Sequence, residues 1–369
     1  MLGIKGDPGI QSDPAQGPVW QAILRQIDQR DSISEWISVS DTERAVFAKH
    51  PWSIKGGGAA ELREQLDSRA DAVFSSSVVD AGFFGISAAD DVYLLPLYAP
   101  KTIGFQNDFY KPVVSGDEVR DWQLMPEQSV IFPYKDGALA DIRSDIATHK
   151  YLWPFRNFLW SRTTFAKKTY REEGRTWWEW HQIALRRIET PLTITLAEVA
   201  THNHFVLDRG GKVFKQTAPI IKLPAQATVD DHLGILGLLN SSTACFWFKQ
   251  VCFQKDTKSG WDERFAFDGT KVGQFPIVAQ RPIAKAREID RLTTLYANLL
   301  PGQMLLASVP SQLEIDQSRT QASRVRSEMI SWQEELDWEV YQYYGLLDED
   351  LTYSGNPPEV KFGERTFEI

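Results

Sequence analysis

The spacing of apolar residues divides the chain into a helical start, a strand-rich middle and a helical end. Apolar residues recur at helical spacing over Pro18–Ile27, and short apolar runs between turn residues follow from Val73. Helical spacing returns over Ala286–Leu300 and Ser311–Tyr344, where Val325, Met329 and other apolar residues stand three or four positions apart. The pattern predicts strands in the middle of the chain and long helices after it.

The strand-rich middle also contains one apolar helix. Leu233–Phe248 is apolar nearly all round, which is typical of a core helix. Asn240-Ser241-Ser242 interrupts it with side chains that compete for backbone hydrogen bonds, so we expect a kink or break there. The predicted strands are Tyr93–Leu97, Thr102–Phe105, Pro112–Val114, Ser129–Pro133, Leu192–Ala200, His204–Phe214 (with a turn at Gly210-Gly211), Ala218–Pro224 and Lys271–Ile277.

These elements predict a mixed α/β fold: an irregular, β-rich lobe with embedded helices, followed by a helical C-terminal segment. We predict a lead-in with short helices over residues 1–70, including a short helix at Asp41–Ala48. The β-rich domain is predicted over 71–280, C-terminal helices over 281–350 and a poorly ordered polar tail over 351–369.

Composition narrows the class of protein. The chain of 369 residues has a formal net charge of −9, and 43% of its residues are hydrophobic, as in an ordinary folded protein. Cys245 and Cys252 stand seven apart on one predicted helix, roughly 10 Å by helix rise, too far to form a disulfide. No apolar run reaches the length of a membrane span. We expect a cytoplasmic protein without a membrane anchor.

One stretch departs from the acidic average. Residues 150–187, here called the basic segment, contain nine Lys or Arg against three Glu, so their net charge is +6 and the remainder of the chain sums to −15. Ten residues of the segment are aromatic, including five of the thirteen Trp. Cations interleaved with flat rings suit a nucleic acid, whose phosphates pair with cations and whose bases stack on rings. The alternative is a pair of amphipathic helices with buried rings and solvated cations.

We predict phosphate contacts from six cations of the basic segment, with one Arg as a possible reader of guanine. They are Arg156, Arg162, Lys167, Lys168, Arg171 and Arg175. Trp177, Trp178 and Trp180 are predicted to be core residues.

A second candidate surface surrounds the turn at Gly210-Gly211. Two strand-like runs flank this turn, which predicts a two-stranded ribbon narrow enough to enter a major groove. Its polar side chains are suited to read base edges. The candidate residues are His202, Asn203, His204, Lys212, Lys215 and Gln216. The alternative is an ordinary surface hairpin.

The motifs of catalysis are missing from the sequence. There is no G-x-G-x-x-G cofactor fingerprint and no G-x-S-x-G nucleophile motif. His202 and His204 would share one face of a strand, but no Cys, Asp or Glu at ligand spacing joins them, so we predict no metal site. Asn356-Pro357-Pro358-Glu359 has Glu where a base-stacking ring would stand, so it is interpreted as a proline turn. We expect no catalytic residue and no bound cofactor in this chain.

The order of several motifs resembles a family. GFFGIS (82–87), VVSGDEVRDW (113–122), VIFPY (130–134), RTWWEW (175–180) and KVGQFPI (271–277) resemble the target-recognition domain of single-chain restriction–modification enzymes. LGIKGDP and HPWSIKGGGAAEL (50–62) are similar to the phage-growth-limitation methyltransferases of phage-exclusion (BREX) defence systems.

This resemblance implies part of an adenine-N6 DNA methyltransferase that uses S-adenosylmethionine, with residues 71–280 as its target-recognition domain. The implied partners are double-stranded DNA, the methyltransferase domain of the same polypeptide and other phage-defence proteins. The Gly/Pro-rich start and the abrupt end at Phe367-Glu368-Ile369 predict a fragment of a longer polypeptide that is inactive alone.

Two other functions remain open from the residues. Trp-rich surfaces also suit a carbohydrate- or peptide-binding module, although the cations of the basic segment count against it. The acidic C-terminal helices would also suit a scaffold subunit of a defence complex. Strong salt dependence of binding separates DNA recognition from the carbohydrate- or peptide-binding module, and failure to retard any DNA at low salt would favour the scaffold.

Overall fold

The computed structural model describes residues 2–4, 13–41, 43–48, 58–188, 191–255 and 263–360. Over these ranges the chain is a mixed α/β structure of many short strands and fewer, longer helices, which confirms the predicted fold class. The α-helices are α1 (Pro18–Gln26), α2 (Ala59–Arg69), α3 (Asp90–Tyr93), α4 (Ala99–Ile103), α5 (Ile146–Leu152), α6 (Arg156–Ser161), α7 (Val229–Leu239), α8 (Ser242–Val251), α9 (Gly269–Gly273), α10 (Ile283–Asn298), α11 (Pro301–Ala307) and α12 (Gln312–Tyr343).

The strands are short and form small sheets rather than one large one. They are β1 (Leu2–Ile4), β2 (Ser32–Ile33), β3 (Ile37–Val39), β4 (Ala72–Val73), β5 (Asp80–Gly82), β6 (Gly85–Ile86), β7 (Leu94–Pro96), β8 (Tyr110–Val114), β9 (Val119–Arg120), β10 (Gln123–Leu124), β11 (Gln128–Ile131), β12 (Tyr134–Lys135), β13 (Ala138–Leu139), β14 (Gln182–Ile183), β15 (Thr193–Leu196), β16 (Val199–Ala200), β17 (Phe205–Asp208), β18 (Val213–Phe214), β19 (Ile220–Lys222), β20 (Phe253–Gln254), β21 (Phe265–Ala266) and β22 (Pro276–Ile277).

Two four-stranded sheets form the centre of the β-rich part. One has the strand order β18-β8-β11-β7 and the other β17-β15-β19-β5. In the first sheet β18 runs parallel to β8, with Val213 opposite Val113, whereas the other pairs of both sheets are antiparallel. Every residue of β15 and β17 is buried, so the second sheet is covered on both faces.

The break in the apolar core helix occurs where the sequence predicts it. Helix α7 ends at Leu239 and α8 begins at Ser242. The Asn240 side chain accepts a hydrogen bond from the Phe205 backbone N–H (2.9 Å) and donates one to its carbonyl (2.8 Å). The Ser241 hydroxyl caps α8 by accepting from the Ala244 N–H. The polar residues therefore end one helix, start the next and attach both to β17.

The C-terminal helices pack directly on this core. A Cβ added to Gly237 of α7 would lie 2.7 Å from Cγ of Pro282, so glycine permits the close approach of the start of α10. Leu292 of α10 packs with Val325 and Met329 of α12. The main apolar cluster extends from Leu66 to Tyr344 and so joins the sheets to α12.

Other predicted elements shift or change type. Thr102–Phe105 is not a strand, because α4 ends there and Gly104 terminates it with a positive φ of 93°. Lys271–Ile277 is a strand only at Pro276–Ile277, because the Asp268 carboxylate caps helix α9 before it. Asp41–Ala48 forms a 3₁₀ helix at Arg44–Ala48. Cys245 and Cys252 are both buried, at opposite ends of α8.

The division into residues 1–70, 71–280, 281–350 and 351–369 stays a prediction. Part of the predicted tail lies along α12: the Tyr353 N–H donates to Oε2 of Glu335 (2.6 Å) and the Val360 N–H to Oγ of Ser331 (2.9 Å). Residues 361–369 lie outside the described ranges. No helix in the described ranges is both long enough and apolar enough to cross a bilayer.

Candidate nucleic-acid interface

The basic segment folds as two short helices followed by a loop and a turn. Asp145 caps the start of helix α5, because its carboxylate accepts the Ala147 N–H (3.2 Å) and the Thr148 hydroxyl (2.5 Å). A 3₁₀ turn at Trp153–Phe155 joins α5 to α6. Near its end the segment forms β14, which pairs with β6 in a two-stranded sheet. The cations of the segment therefore occupy very different environments.

Arg162 is a buried residue, not a surface cation. It is 7% exposed, and its guanidinium donates to the carbonyls of Ser87 (2.7 Å) and Trp177 (2.9 Å). It also donates to the carbonyls of Leu159 and Glu179, at 2.9 and 2.8 Å. Because its donors are engaged inside the protein, Arg162 holds the basic segment together and we leave it out of the proposed interface.

Arg175 is half-buried beside Arg162. Its Nε donates to Oε1 of Glu179 and its Nη2 to the Trp180 carbonyl at 2.8 Å. Both guanidinium groups contact the Tyr170 ring, with Cζ at 4.3 Å from its centroid for Arg162 and 4.1 Å for Arg175. A charge neutralised by Glu179 contributes little to phosphate binding, so Arg175 is also a structural residue in this conformation.

Lys167, Lys168 and Arg171 are exposed. We call residues 164–171 the basic loop. An isolated bridge between Thr163 and Thr169 closes its base. The Glu172 carboxylate accepts both the N–H and the hydroxyl of Thr169, at 2.7 and 2.8 Å. Polar residues at its two ends thus hold the loop in place, and the loop presents three cations to solvent.

Aromatic rings accompany these cations. Arg171 lies over the Trp160 ring (5.4 Å from its centroid), and the half-buried Arg156 stacks on Trp153 at 4.2 Å. Trp177 and Trp180 are buried, as expected, and Trp178 is half-buried. Several other rings are exposed: Trp153 (47%), Phe155 (38%), Phe158 (54%) and Phe165 (76%).

The predicted ribbon around Gly210-Gly211 does not form, so that prediction is wrong. Strand β17 pairs with β15 in one sheet, and β18 pairs with β8 in the other. The two glycines, with φ of 97° and 83°, carry the chain between the sheets. The loop therefore connects two sheets and is not the tip of a hairpin.

The ribbon's polar side chains are separated accordingly. Lys212 is paired with Asp208, with Nζ to Oδ1 at 2.7 Å, and Asp208 is only 2% exposed. Nζ of Lys215 lies 3.3 Å from Oδ2 of Asp90. Gln216 is exposed at a cavity of about 690 Å³ between β5, β19 and α9. Among the described residues that line this cavity, Asp80, Glu198 and Asp268 are acidic and none is Lys or Arg, so the cavity does not suit phosphate.

Asn203 and His204 are buried next to the end of α7. Nδ2 of Asn203 donates to the Leu239 carbonyl at 2.6 Å and to that of Ser241 at 3.3 Å, so it caps the helix C-terminus. His204 is 6% exposed, and its ring centroid lies 4.1 Å from that of the half-buried His202. Burial, the neighbouring His202 and Arg120 lower the pKa of His204 to about 2. His204 is therefore a neutral imidazole.

A third residue near the histidines could not be found from sequence spacing. Asp121 is 81 positions before His202 in the chain, yet its Oδ1 lies 3.8 Å from Nδ1 of His204. One ligand atom from each of Asp121, His202 and His204 lies within 4.8 Å of the others. The strands that bring them together, β10 and β17, belong to different sheets, so no local motif marks this cluster.

The chain is similar to known proteins over nearly its whole length. It is 37% identical over 386 aligned positions, or 99% of its length, to the adenine-specific methyltransferase PglX of Streptomyces coelicolor (strain ATCC BAA-471 / A3(2) / M145). The chain is homologous to part of PglX. This confirms the resemblance to the phage-growth-limitation methyltransferases. The chain spans 32% of the length of this relative.

Further likenesses are more limited. A family model described as a domain of unknown function (DUF7008) matches residues 329–369. The type IIL restriction–modification enzyme MmeI, solved with DNA, has a TM-score of 0.44 and 12% identity, covering 76% of this chain and 34% of MmeI. The type IIG restriction endonuclease BpuSI has a TM-score of 0.42 and 12% identity, covering 78% of this chain and 34% of BpuSI.

Proposed function

We propose that this chain binds double-stranded DNA and supplies target recognition for an adenine-N6 DNA methyltransferase of a phage-defence (BREX) system in the cytoplasm. The observation that carries this proposal is the basic loop, which exposes Lys167, Lys168 and Arg171 on a protein of net charge −9. Segregation of positive charge on one face of an acidic protein favours one defined contact with a polyanion.

The neighbouring groups support nucleic acid over other polyanions. The guanidinium of Arg156 lies 4.2 Å from the centroid of the Trp153 ring, and that of Arg171 lies 5.4 Å from the centroid of the Trp160 ring. Such pairs suit a ligand that offers both phosphates and flat bases. The proposed interface consists of Lys167, Lys168 and Arg171 of the basic loop together with Arg156 of α6. Lys215 and Gln216 stay candidates for base contacts at a second position.

In this proposal the transfer of the methyl group belongs to another part of the polypeptide. The relative is named as an adenine-specific methyltransferase, and this chain aligns with about a third of it. S-adenosylmethionine would bind to the methyltransferase domain of the full-length enzyme. The proposed partners are double-stranded DNA, that domain and other phage-defence proteins.

Exchange of Lys167, Lys168 and Arg171 for Ala tests the proposal. We expect weaker binding to every duplex, because phosphate contacts do not depend on base sequence. The slope of log K against log salt should fall by about 0.9 for each phosphate that the variant no longer binds. Fluorescence anisotropy with labelled duplexes at several salt concentrations measures both quantities.

A matched control removes three exposed cations elsewhere: Lys101, Arg287 and Arg319 exchanged for Ala. This control variant changes the net charge by the same amount as the basic-loop variant. Because its three cations lie outside the basic loop, it should leave the slope of log K against log salt nearly unchanged if the basic loop is the contact. Equal effects of the two triple variants would mean that DNA binding depends on the net charge of the protein and not on the basic loop. Absence of DNA binding at low salt would refute the proposal and favour a scaffold subunit, whereas salt-independent binding of a glycan would favour a carbohydrate-binding module.

A further inference from the structure

The turn between β9 and β10 has an unusual backbone. Asp121 and Trp122 are its two central residues, with φ of 45° and 66°. Two positive φ values are typical of a type I′ turn, in which Asn-Gly and Asp-Gly are favoured because a bulky side chain is strained there. Nε1 of Trp122 donates to Oε1 of Gln333 on α12 at 2.9 Å. This contact fixes the turn with Asp121 beside the histidine pair.

His202 and His204 immediately precede β17, and their rings lie next to each other. Their ring centroids lie 4.1 Å apart, and Oγ1 of Thr201 lies 3.0 Å from Nδ1 of His202. Hydrogen bonds of this kind orient the imidazoles that bind metals. The backbone N–H of Asp121 donates to Nδ1 of His204 at 3.4 Å, so this nitrogen carries no proton in the arrangement seen.

The carboxylate of Asp121 and the unprotonated nitrogen of His204 are both electron-pair donors. They lie 3.8 Å apart, so a cation between them would be attracted by both and would replace the hydrogen bond from the Asp121 N–H at Nδ1. Nη1 of Arg120, the residue before Asp121, donates to the carbonyls of Gly116 (2.7 Å) and Val119 (2.6 Å). Its guanidinium is thus held at the base of the same turn.

We propose that Asp121, His202 and His204 form a binding site for one divalent transition-metal ion, with Zn²⁺ the best match to two imidazoles and a carboxylate. Around tetrahedral Zn²⁺ such ligand atoms lie about 3.3 Å apart, whereas here they lie within 4.8 Å of one another. The Asp121 side chain is 67% exposed, so it can rotate to bring its carboxylate closer to the histidine nitrogens, as Zn²⁺ would require. Three protein ligands leave a fourth position for water or an external ligand.

The ion would join two sheets through residues distant in the chain. Asp121 precedes β10, the histidines precede β17, and Trp122 attaches the same turn to α12. Metal binding should therefore stabilise the fold by linkage, because the unfolded chain lacks the preformed site. This site is separate from the basic loop and does not depend on the proposed DNA binding.

Titration of the metal-free protein with Zn²⁺ and Co²⁺ tests the site. We expect one equivalent by calorimetry, the visible absorption of tetrahedral Co²⁺ and a higher melting temperature. Asp121→Asn and His202→Asn should each weaken binding at least tenfold. Asn tolerates positive φ, so Asp121→Asn keeps the turn, and circular dichroism of the metal-free variants checks their fold.

A matched control is Asp136→Asn, because Asp136 is an exposed aspartate with φ of 49° in the β12–β13 turn. It should leave affinity and stoichiometry unchanged. Failure of the wild-type protein to bind either metal would overturn the proposal. Equal affinity of the wild type, Asp121→Asn and His202→Asn would overturn it too, since the ion would then bind elsewhere.

Discussion

Arg187 donates to Asp80 through two nitrogens on one edge of its guanidinium, with Nη2 to Oδ1 at 2.8 Å and Nε to Oδ2 at 2.9 Å. Arg186 adds two more bonds, from Nε to Oδ2 at 3.0 Å and from Nη2 to Oδ1 at 3.3 Å. Asp80 belongs to β5, so the end of the basic segment is attached to the edge of a central sheet. Asp80 partly neutralises Arg186 and Arg187. The exposed cations of the basic loop therefore account for more of the positive charge that the segment presents to solvent.

This pairing makes stability depend on pH. The hydrogen bonds from Arg187 lower the pKa of Asp80 below its ordinary value, against the opposing effect of burial. A lowered carboxyl pKa contributes stability that is present above the ordinary value near 3.8 and is lost as pH falls below it. We expect Asp80→Asn to lower the free energy of unfolding at pH 7 by roughly 1–3 kcal/mol and by much less near pH 3.

Urea unfolding at a series of pH values measures this difference. Asp108→Asn is the control, because Asp108 pairs with Lys135 on the surface, where ion pairs contribute little. If wild type and Asp80→Asn lose stability in parallel between pH 5 and 3, the Asp80–Arg187 pair is not an acid-sensitive contact.

Arg162 and Lys167 should separate the structural and binding roles of the basic segment. Arg162→Met removes the donors to four carbonyls, three of them in buried hydrogen bonds, so we expect a loss of at least about 2 kcal/mol in the free energy of unfolding. Lys167→Met removes an exposed side chain and should change stability by less than about 0.5 kcal/mol. Urea unfolding of the two variants checks both values, and comparable losses would contradict the assignment of Lys167 to the surface.

The sequence could predict a structural feature where residues close together in the chain determine it. The break at Asn240–Ser242 follows in part from Ser241, whose hydroxyl donates to the Leu238 carbonyl and accepts from the Ala244 N–H, and the start of α5 follows from the Asp145 cap. The prediction of a two-stranded ribbon was wrong because Val213 pairs with Val113, a hundred positions earlier. No local pattern in the sequence shows this pairing. Arg162 looked like its neighbours Lys167 and Lys168 in the sequence. Its burial depends on carbonyls that the fold brings around it.

The exposed ring of Phe165 provides a test of base stacking that is independent of charge. Phe165 is 76% exposed and stands two positions before Lys167, so a base that leaves its stack near the basic loop would meet this ring. Stacking on an aromatic side chain contributes about 1–3 kcal/mol per base. We expect Phe165→Ala to weaken binding to single-stranded DNA by that amount while the salt slope stays unchanged, because the cations that bind phosphate are all retained.

Phe253→Ala is the matched control, since Phe253 is 70% exposed and lies outside the basic segment. Anisotropy titrations of the two variants at several salt concentrations distinguish the outcomes. A specific loss with Phe165→Ala would add a base contact to the phosphate contacts of the basic loop. Equal affinities of both variants and the wild type would show that DNA touches the loop only through its phosphates, because a stacked base would not tolerate removal of the ring.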